Sequence, residues 1–194
     1  MKTLTIYNDD NPPNPCHWGD WEFHSFNSNH ISFKHPEELG IQRDGSSTDI
    51  GLASKLRWNT AFVCSCYMHG NTVWSLMGEG PQCRWDSCTV AGLLVWTGKP
   101  KELHEDPEQR KEIARGFLED YTKWCNGTVY GFMIEDEETL EGPSHGGYFD
   151  EEQMFEDIRE ELHGVDPNDV EVTGEADWLC QYHKWEPEKE TVEG

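Results

Sequence analysis

The chain has 194 residues, a formal net charge of −23 and a mean hydropathy of −0.80. That length suits one domain, with or without a tail, and nine Trp, eight Phe and six Tyr supply buriable area that a disordered acidic chain lacks. Such a charge disfavours direct contact with nucleic acid or anionic lipid and favours basic protein surfaces.

In chain order, residues 2–7 alternate Leu4 and Ile6 with polar residues and predict an opening strand. Residues 8–15 (Asn-Asp-Asp-Asn-Pro-Pro-Asn-Pro) are turn chemistry. An irregular aromatic stretch at 16–21 leads to short predicted strands at 22–26 and 30–34. A Gly/Ser-rich loop at 43–49 follows, then a short helix at 52–58. Residues 61–68 and 72–77 flank His69-Gly70-Asn71 as a predicted hairpin. Residues 83–88 form a compact link, and the apolar run at 89–96 reads as a central strand.

A helix then begins at Asp106, a good N-cap, with Pro107 at the first helical position and Gln109 completing a start of capping-box type. Ile113, Phe117 and Tyr121 recur at i, i+4, i+8, with Ala114 and Leu118 beside them, and Asn126-Gly127 ends the helix. A strand at 128–134 precedes a second helix that starts at Asp150, buries Phe155, Ile158 and Leu162, and stops at Gly164. Its outer face carries Glu151, Glu152, Glu156, Asp157, Glu160 and Glu161. Trp178, Tyr182 and Trp185 fall at i, i+4, i+7 and are expected to dock against the body, with only 186–194 frayed. The order of elements predicts an α+β fold, a mainly antiparallel sheet with two principal helices packed on it. It places a single domain at 1–164 and a partly docked acidic segment at 165–194.

The charge is uneven. Residues 135–194 hold 21 Asp/Glu against Arg159, Lys184 and Lys189, a net of −18, whereas residues 1–134 carry a net of −5. Glu160 and Glu161 lie near a helix C-terminus, where the dipole disfavours them, so this placement points to a use other than stability. Carboxylates spread over a helix face can imitate the field of duplex DNA, about one charge per 1.7 Å of axis. They can then occupy the Lys/Arg cleft of a nucleic-acid-handling protein. Solubility is the alternative use of the same charge.

Other chemistry is thinly signalled. Cys64 and Cys66 share a strand face, Cys83 and Cys88 bracket Arg-Trp-Asp-Ser, and Cys16, His17 and His24 lie upstream. C-x-C and C-x₄-C sit at the edges of the spacing that structural zinc prefers, so buried or turn thiols without metal are the expectation, and no cofactor is expected. A Cys nucleophile needs a base and an orienting group, which nine His leave unspecified. Glu135-Asp136 ends a strand where acid/base residues often stand, but it also opens an acidic run. No phosphate-binding loop, dinucleotide fingerprint, HExxH or EF-hand is present. No apolar run approaches the roughly 20 residues of a membrane helix. MKTLTIYNDD lacks the features of a signal peptide. Seven irregularly spaced Cys fit reduced thiols in a cytoplasmic setting.

Three ordered segments are familiar together. Asn11-Pro-Pro-Asn-Pro15 precedes a Trp/Asp cluster. Cys83-Arg-Trp-Asp-Ser87 leads into an apolar strand with Gly92. Gly127-Thr-Val-Tyr-Gly-Phe-Met-Ile-Glu-Asp136 follows. Over about residues 1–150 they resemble a family of small, largely uncharacterised proteins of bacteriophages and bacterial mobile elements, with a C-x-W-D-S core and a G-x-V-Y-G-F-x-I-E-D strand. The family often shows Gly directly after W-D-S, where this chain has Cys88. The resemblance brings no activity or catalytic residues. It implies a phage-like setting, in which small acidic proteins often block host defence. Read structurally, Trp85 would anchor its turn in the core, while Asp86 or Ser87 would accept a backbone N–H at the start of the next strand. The expected function is therefore an acidic binding protein that inhibits a host restriction or CRISPR effector. A small enzyme using Cys83 or Glu135/Asp136, metal-assisted or not, is the alternative, and an accessory protein whose charge only solubilises it is another.

Overall fold

The computed structural model describes residues 1–174. Trp178, Tyr182 and Trp185 lie outside the described residues. The fold is α+β. The described chain divides into two compact units, one of residues 1–13 with 127–174 and one of residues 14–126, where the sequence predicts one body over 1–164. In place of one sheet there are two four-stranded sheets, one in each unit.

The elements run β1 (Lys2–Asn8), β2 (Trp21–Ser25), α1 (Ile50–Arg57), β3 (Ala61–His69), β4 (Asn71–Leu76), β5 (Ser87–Trp96), α2 (Pro100–Leu103), α3 (Pro107–Asn126), β6 (Tyr130–Asp136), β7 (Ser144–Tyr148), α4 (Glu151–Glu161) and β8 (Val170–Thr173), with 3-10 turns at Pro15–His17, Pro36–Leu39 and Pro167–Asp169.

The first unit orders its strands β7-β6-β1-β8. β1 pairs antiparallel with β6 and parallel with β8. Alternation puts Leu4, Ile6, Tyr130, Phe132 and Ile134 on one face, which α4 covers with Met154, Phe155 and Ile158, joined by Leu162. Neither β7 nor β8 was legible in the sequence. Both are short edge strands: Ser-His-Gly-Gly-Tyr has low apolar content, and Val-Glu-Val-Thr alternates over only four residues.

The second unit is an antiparallel sheet in the order β2-β5-β3-β4. Both faces are covered. Trp21, Phe23, Phe62, Cys64, Cys66, Trp74 and Leu94 pack under Phe117, Leu118 and Tyr121 of α3. Ile41, Ala61, Val63, Leu93 and Val95 pack against Leu52 and Leu56 of α1 on the other side. Double coverage explains the unbroken apolar runs of β3 and β5, and β5 is central as predicted. Gly92 lets three groups close over it. A Cβ there would meet His24 O at 2.9 Å, Phe23 Cζ at 3.1 Å and Trp74 Cζ3 at 3.3 Å.

β4 is an edge strand, and α3 satisfies its outward backbone. Thr122 Oγ1 accepts from Trp74 N (2.9 Å), and Asn126 accepts from Thr72 N (2.8 Å) while donating to Thr72 O (2.7 Å). Pairing groups that would otherwise template another strand are thereby covered.

Two local expectations are corrected. Residues 30–34 form no strand. They are a turn tied to Ser25 by Ser25 N–Ser32 O (3.0 Å) and Lys34 N–Ser25 O (2.9 Å), with a single bridge at Phe33. Ile113 is not in the buried stripe of α3. It is 39% exposed, and Arg110 joins Ala114, Phe117, Leu118 and Tyr121 inside.

Candidate functional site

The acidic face is concentrated in one unit. Residues 1–13 and 127–174 hold 17 Asp/Glu against Lys2 and Arg159, a net of −15, whereas residues 14–126 hold 15 against 11, a net of −4. α4 is built to display that charge. Asp150 caps it by accepting from Glu152 N (2.9 Å), and its apolar stripe faces the sheet. Glu152, Glu156 and Glu160 then recur every four residues on the solvent side, about 6 Å apart along the axis. Glu151 is half-buried and interacts within the fold.

Not all of the six predicted carboxylates are equivalent. Asp157 accepts from the Tyr148 hydroxyl (2.6 Å) and from Gln153 Nε2 (3.0 Å), and these bonds hold its carboxyl below the ordinary range. It positions β7 against α4. Glu161 lies 3.5 Å from His145 Nε2. The exposed row of Glu152, Glu156 and Glu160 is the part best placed to meet a partner.

Glu135 and Asp136 are successive residues of β6, so their side chains leave opposite faces of the sheet. They do not form a paired acid and base. Asp136 caps the β6–β7 turn, accepting from Glu138 N (2.9 Å), and that bond keeps its carboxyl low.

The Cys83–Ser87 segment corrects a further expectation. Trp85 is 84% exposed and does not anchor the core. Its ring lies under the Arg84 guanidinium (5.3 Å to the centroid). The turn is fixed by its other residues. Ser87 Oγ accepts from Cys83 N (2.9 Å) and donates to Pro81 O (3.0 Å), while Ser87 N donates to Cys83 O (3.0 Å). The acceptor function expected of Ser87 is therefore present, but it serves the preceding turn and not the following strand. Trp85→Ala is accordingly expected to change unfolding free energy by no more than about 0.5 kcal/mol, as at ordinary surface positions. Chemical denaturation checks this, and a loss of several kcal/mol would contradict it.

Cys83 is not set up as a catalytic nucleophile. Cys83 Sγ donates to Asp86 Oδ2 (3.2 Å), which also lies 3.5 Å from His69 Nδ1. The acid therefore stands between thiol and imidazole, the reverse of a base held by an acid. Burial pushes the Cys16 and Cys125 thiols up to about 11 and Cys66 up to about 12, and raises Cys64 further. His24 faces Glu22 (3.1 Å). Among the described residues, no three of His, Cys, Asp or Glu converge as metal ligands.

Sequence reasoning missed a cleft of about 480 Å³ between β4 and α3, lined by Leu76, Pro81, Arg115, Leu118 and Thr122 among others. Glu79 bridges its rim. It accepts from Arg115 Nε (2.8 Å) and Nη2 (2.7 Å) and lies 3.2 Å from Lys111 Nζ. The Arg115 bond, foremost, drives the Glu79 carboxyl down to about 2. Arg115 also pairs with Glu112. Arg115, one of the cations lining the cleft, is thus already held by two carboxylates.

His30 is a half-buried titratable group of the second unit. Its Nδ1 accepts from Ser32 N (3.1 Å), and Nε2 lies 3.2 Å from the Tyr121 hydroxyl. Burial lowers its pKa. Below about 6.5 the unfolded chain gains a proton that the folded one resists. This contribution to stability is thus full above that pH and is lost as pH falls toward the folded pKa. We expect the His30 ring to titrate below 6.5 by NMR and His30→Asn to flatten the fall in melting temperature between pH 7 and pH 5. A ring titrating above 6.5 would contradict this. Among the described residues, no helix is long and apolar enough to cross a membrane. No protein-family model, curated protein or solved structure matches this chain.

Proposed function

We propose that this protein is an acidic inhibitor that seats its first unit in the basic cleft of a nucleic-acid-handling partner. A restriction or CRISPR effector of a phage host fits the setting that the sequence resemblance implies. One observation carries the reading, the gathering of 17 carboxylates against two cations on the described part of a single folded unit. A charge needed only for solubility has no reason to be balanced by cations in one unit and left unbalanced in the other. Carboxylates on a helix and a hairpin are already ordered, so less entropy is lost on association than with a flexible tail. The enzyme alternative draws no support from Cys83, whose neighbour is an acid, or from Glu135 and Asp136, which face apart.

The test is affinity capture from host lysate at two salt concentrations, with duplex DNA as competitor. The expected result is a nucleic-acid-binding partner whose affinity falls roughly tenfold or more from about 50 to about 200 mM salt and which DNA displaces. A partner indifferent to both salt and DNA would leave solubility as the use of the charge.

A further inference from the structure

We infer that Cys66 and Cys88 form a cross-strand thiol pair that a peroxide converts to a disulfide, making the second unit oxidation-responsive. The register of β3 and β5 sets Cys66 directly opposite Cys88. Directly opposed residues of antiparallel strands have Cα atoms about 4.5 or 5.5 Å apart, according to the type of pair. Both values lie inside the roughly 4.4–6.8 Å range that a disulfide spans. Opposed residues also project from the same sheet face, so the two Cβ atoms lean the same way.

A second observation concerns freedom to move. Between the pairs Cys64–Gly92 and Cys66–Cys88, Ser65 alone stands against Thr89, Val90 and Ala91, so β5 bulges immediately beside Cys88. A bulge interrupts the ladder and lets its strand bend locally. Cys88 can then close the remaining gap without distorting the paired core. At the far end, Met68 N–Asp86 O (2.8 Å) keeps the strands in register.

The two thiols differ in exposure, and that sets which of them meets the oxidant first. Cys88 is exposed, and its Sγ donates to Val90 O (3.4 Å). Cys66 is 4% exposed. Burial, followed by the nearby Cys125 and Cys88 thiols, pushes it up to about 12, so it stays protonated and shielded from direct attack. Cys88 as thiolate takes the terminal oxygen of hydrogen peroxide. The O–O bond breaks, hydroxide leaves, and Cys88 becomes a sulfenic acid. The Cys66 sulfur then attacks the Cys88 sulfur. The S–O bond breaks, the Cys66 proton leaves with the hydroxyl as water, and the S–S bond forms. Two electrons pass from the thiol pair to the peroxide. The new bond closes a loop over residues 67–87, which holds β4 and the turn that presents Trp85. Oxidation would thus lock this exposed turn to β3.

The experiment treats the full reduced chain with hydrogen peroxide, alkylates the remaining thiols and maps peptides without reduction. The expected product is a Cys66–Cys88 linked peptide, lighter by two hydrogens and reversed by dithiothreitol, in a chain that melts several degrees higher. In Cys66→Ala, Cys88 should stop at the sulfenic acid and be trapped by dimedone. Cys88 linked instead to Cys83, Cys125, Cys180 or a second chain overturns the inference. So does Cys88 over-oxidised with Cys66 still alkylated. The mapping of the unmodified sequence decides the matter even if the Cys66 variant does not fold.

Discussion

Replacing Glu152, Glu156, Glu160 and Glu161 together by Gln is expected to weaken partner binding by about 30- to 700-fold. The figure follows from roughly 0.5–1 kcal/mol for each solvent-exposed carboxylate facing a cation, about 2–4 kcal/mol for the four. Glu161 should contribute least, because His145 already lies beside it. The same change should leave the fold near its parent stability, because the favourable first-turn place of Glu152 is lost while repulsive terms relax. Glu152, Glu156 and Glu160 are like charges at i, i+4, which repel by a few tenths of a kcal/mol per pair. Glu160 and Glu161 also oppose the dipole near the end of α4. Binding thus falls while stability stays near that of the parent, and that separates a recognition surface from a structural one. Isothermal titration with the captured partner, beside thermal melting, reads both. Affinity unchanged within twofold in a folded variant would rule out α4 as the docking element.

Much of this architecture was legible because simple rules acted locally. The Asp106-Pro107 start, the Asp150 cap and the 3.6-residue stripe of α4 each depend on neighbours in sequence, and each appears where expected. β5 was legible because a strand covered on both faces must be apolar throughout. The two-sheet organisation was not, because β1 finds β6 and β8 only after the chain has built the whole second unit. Nothing near residues 2–8 encodes that return. Trp85 misled for a related reason. A large aromatic in a turn is ordinarily an anchor, but here Ser87 fixes the turn and leaves the indole outside. The acidic helix face was legible as a set of residues. Its division into an exposed row and carboxylates already engaged by Tyr148 and His145 required β7, which has no signature of its own.

The buried guanidinium of Arg110 was equally hidden, and its removal is the largest stability loss we predict. Arg110 is 6% exposed although it sits in the first turns of α3, where a cation opposes the helix dipole. What offsets this is the convergence of helix ends. α1 finishes at Trp58, with Asn59 at φ 52° and Thr60 N donating back to Lys55 O (2.9 Å). The Trp58 carbonyl is left outside that closure. α2 finishes at His104, followed by Glu105. Arg110 Nη1 donates to Trp58 O (2.9 Å), Nε to His104 O (2.6 Å) and Nη2 to Glu105 O (3.2 Å). One planar fork therefore caps two helices from a third, with the charge facing the negative ends of both. Arg110→Ala leaves three carbonyls without their donor and a cavity beside them, an expected loss of about 2–4 kcal/mol. Arg110→Lys keeps the charge, but a single ammonium cannot reach all three carbonyls, so it should lose about 1–2 kcal/mol. Seven of the nine Trp lie in residues 14–126, so tryptophan fluorescence during urea denaturation reports mainly on this unit. Equal losses for Ala and Lys would show that packing of the stem, and not the three-way cap, is what Arg110 supplies. An Ala variant within about 0.5 kcal/mol of the parent would mean that water replaces the guanidinium, and that the three helix ends hold together without it.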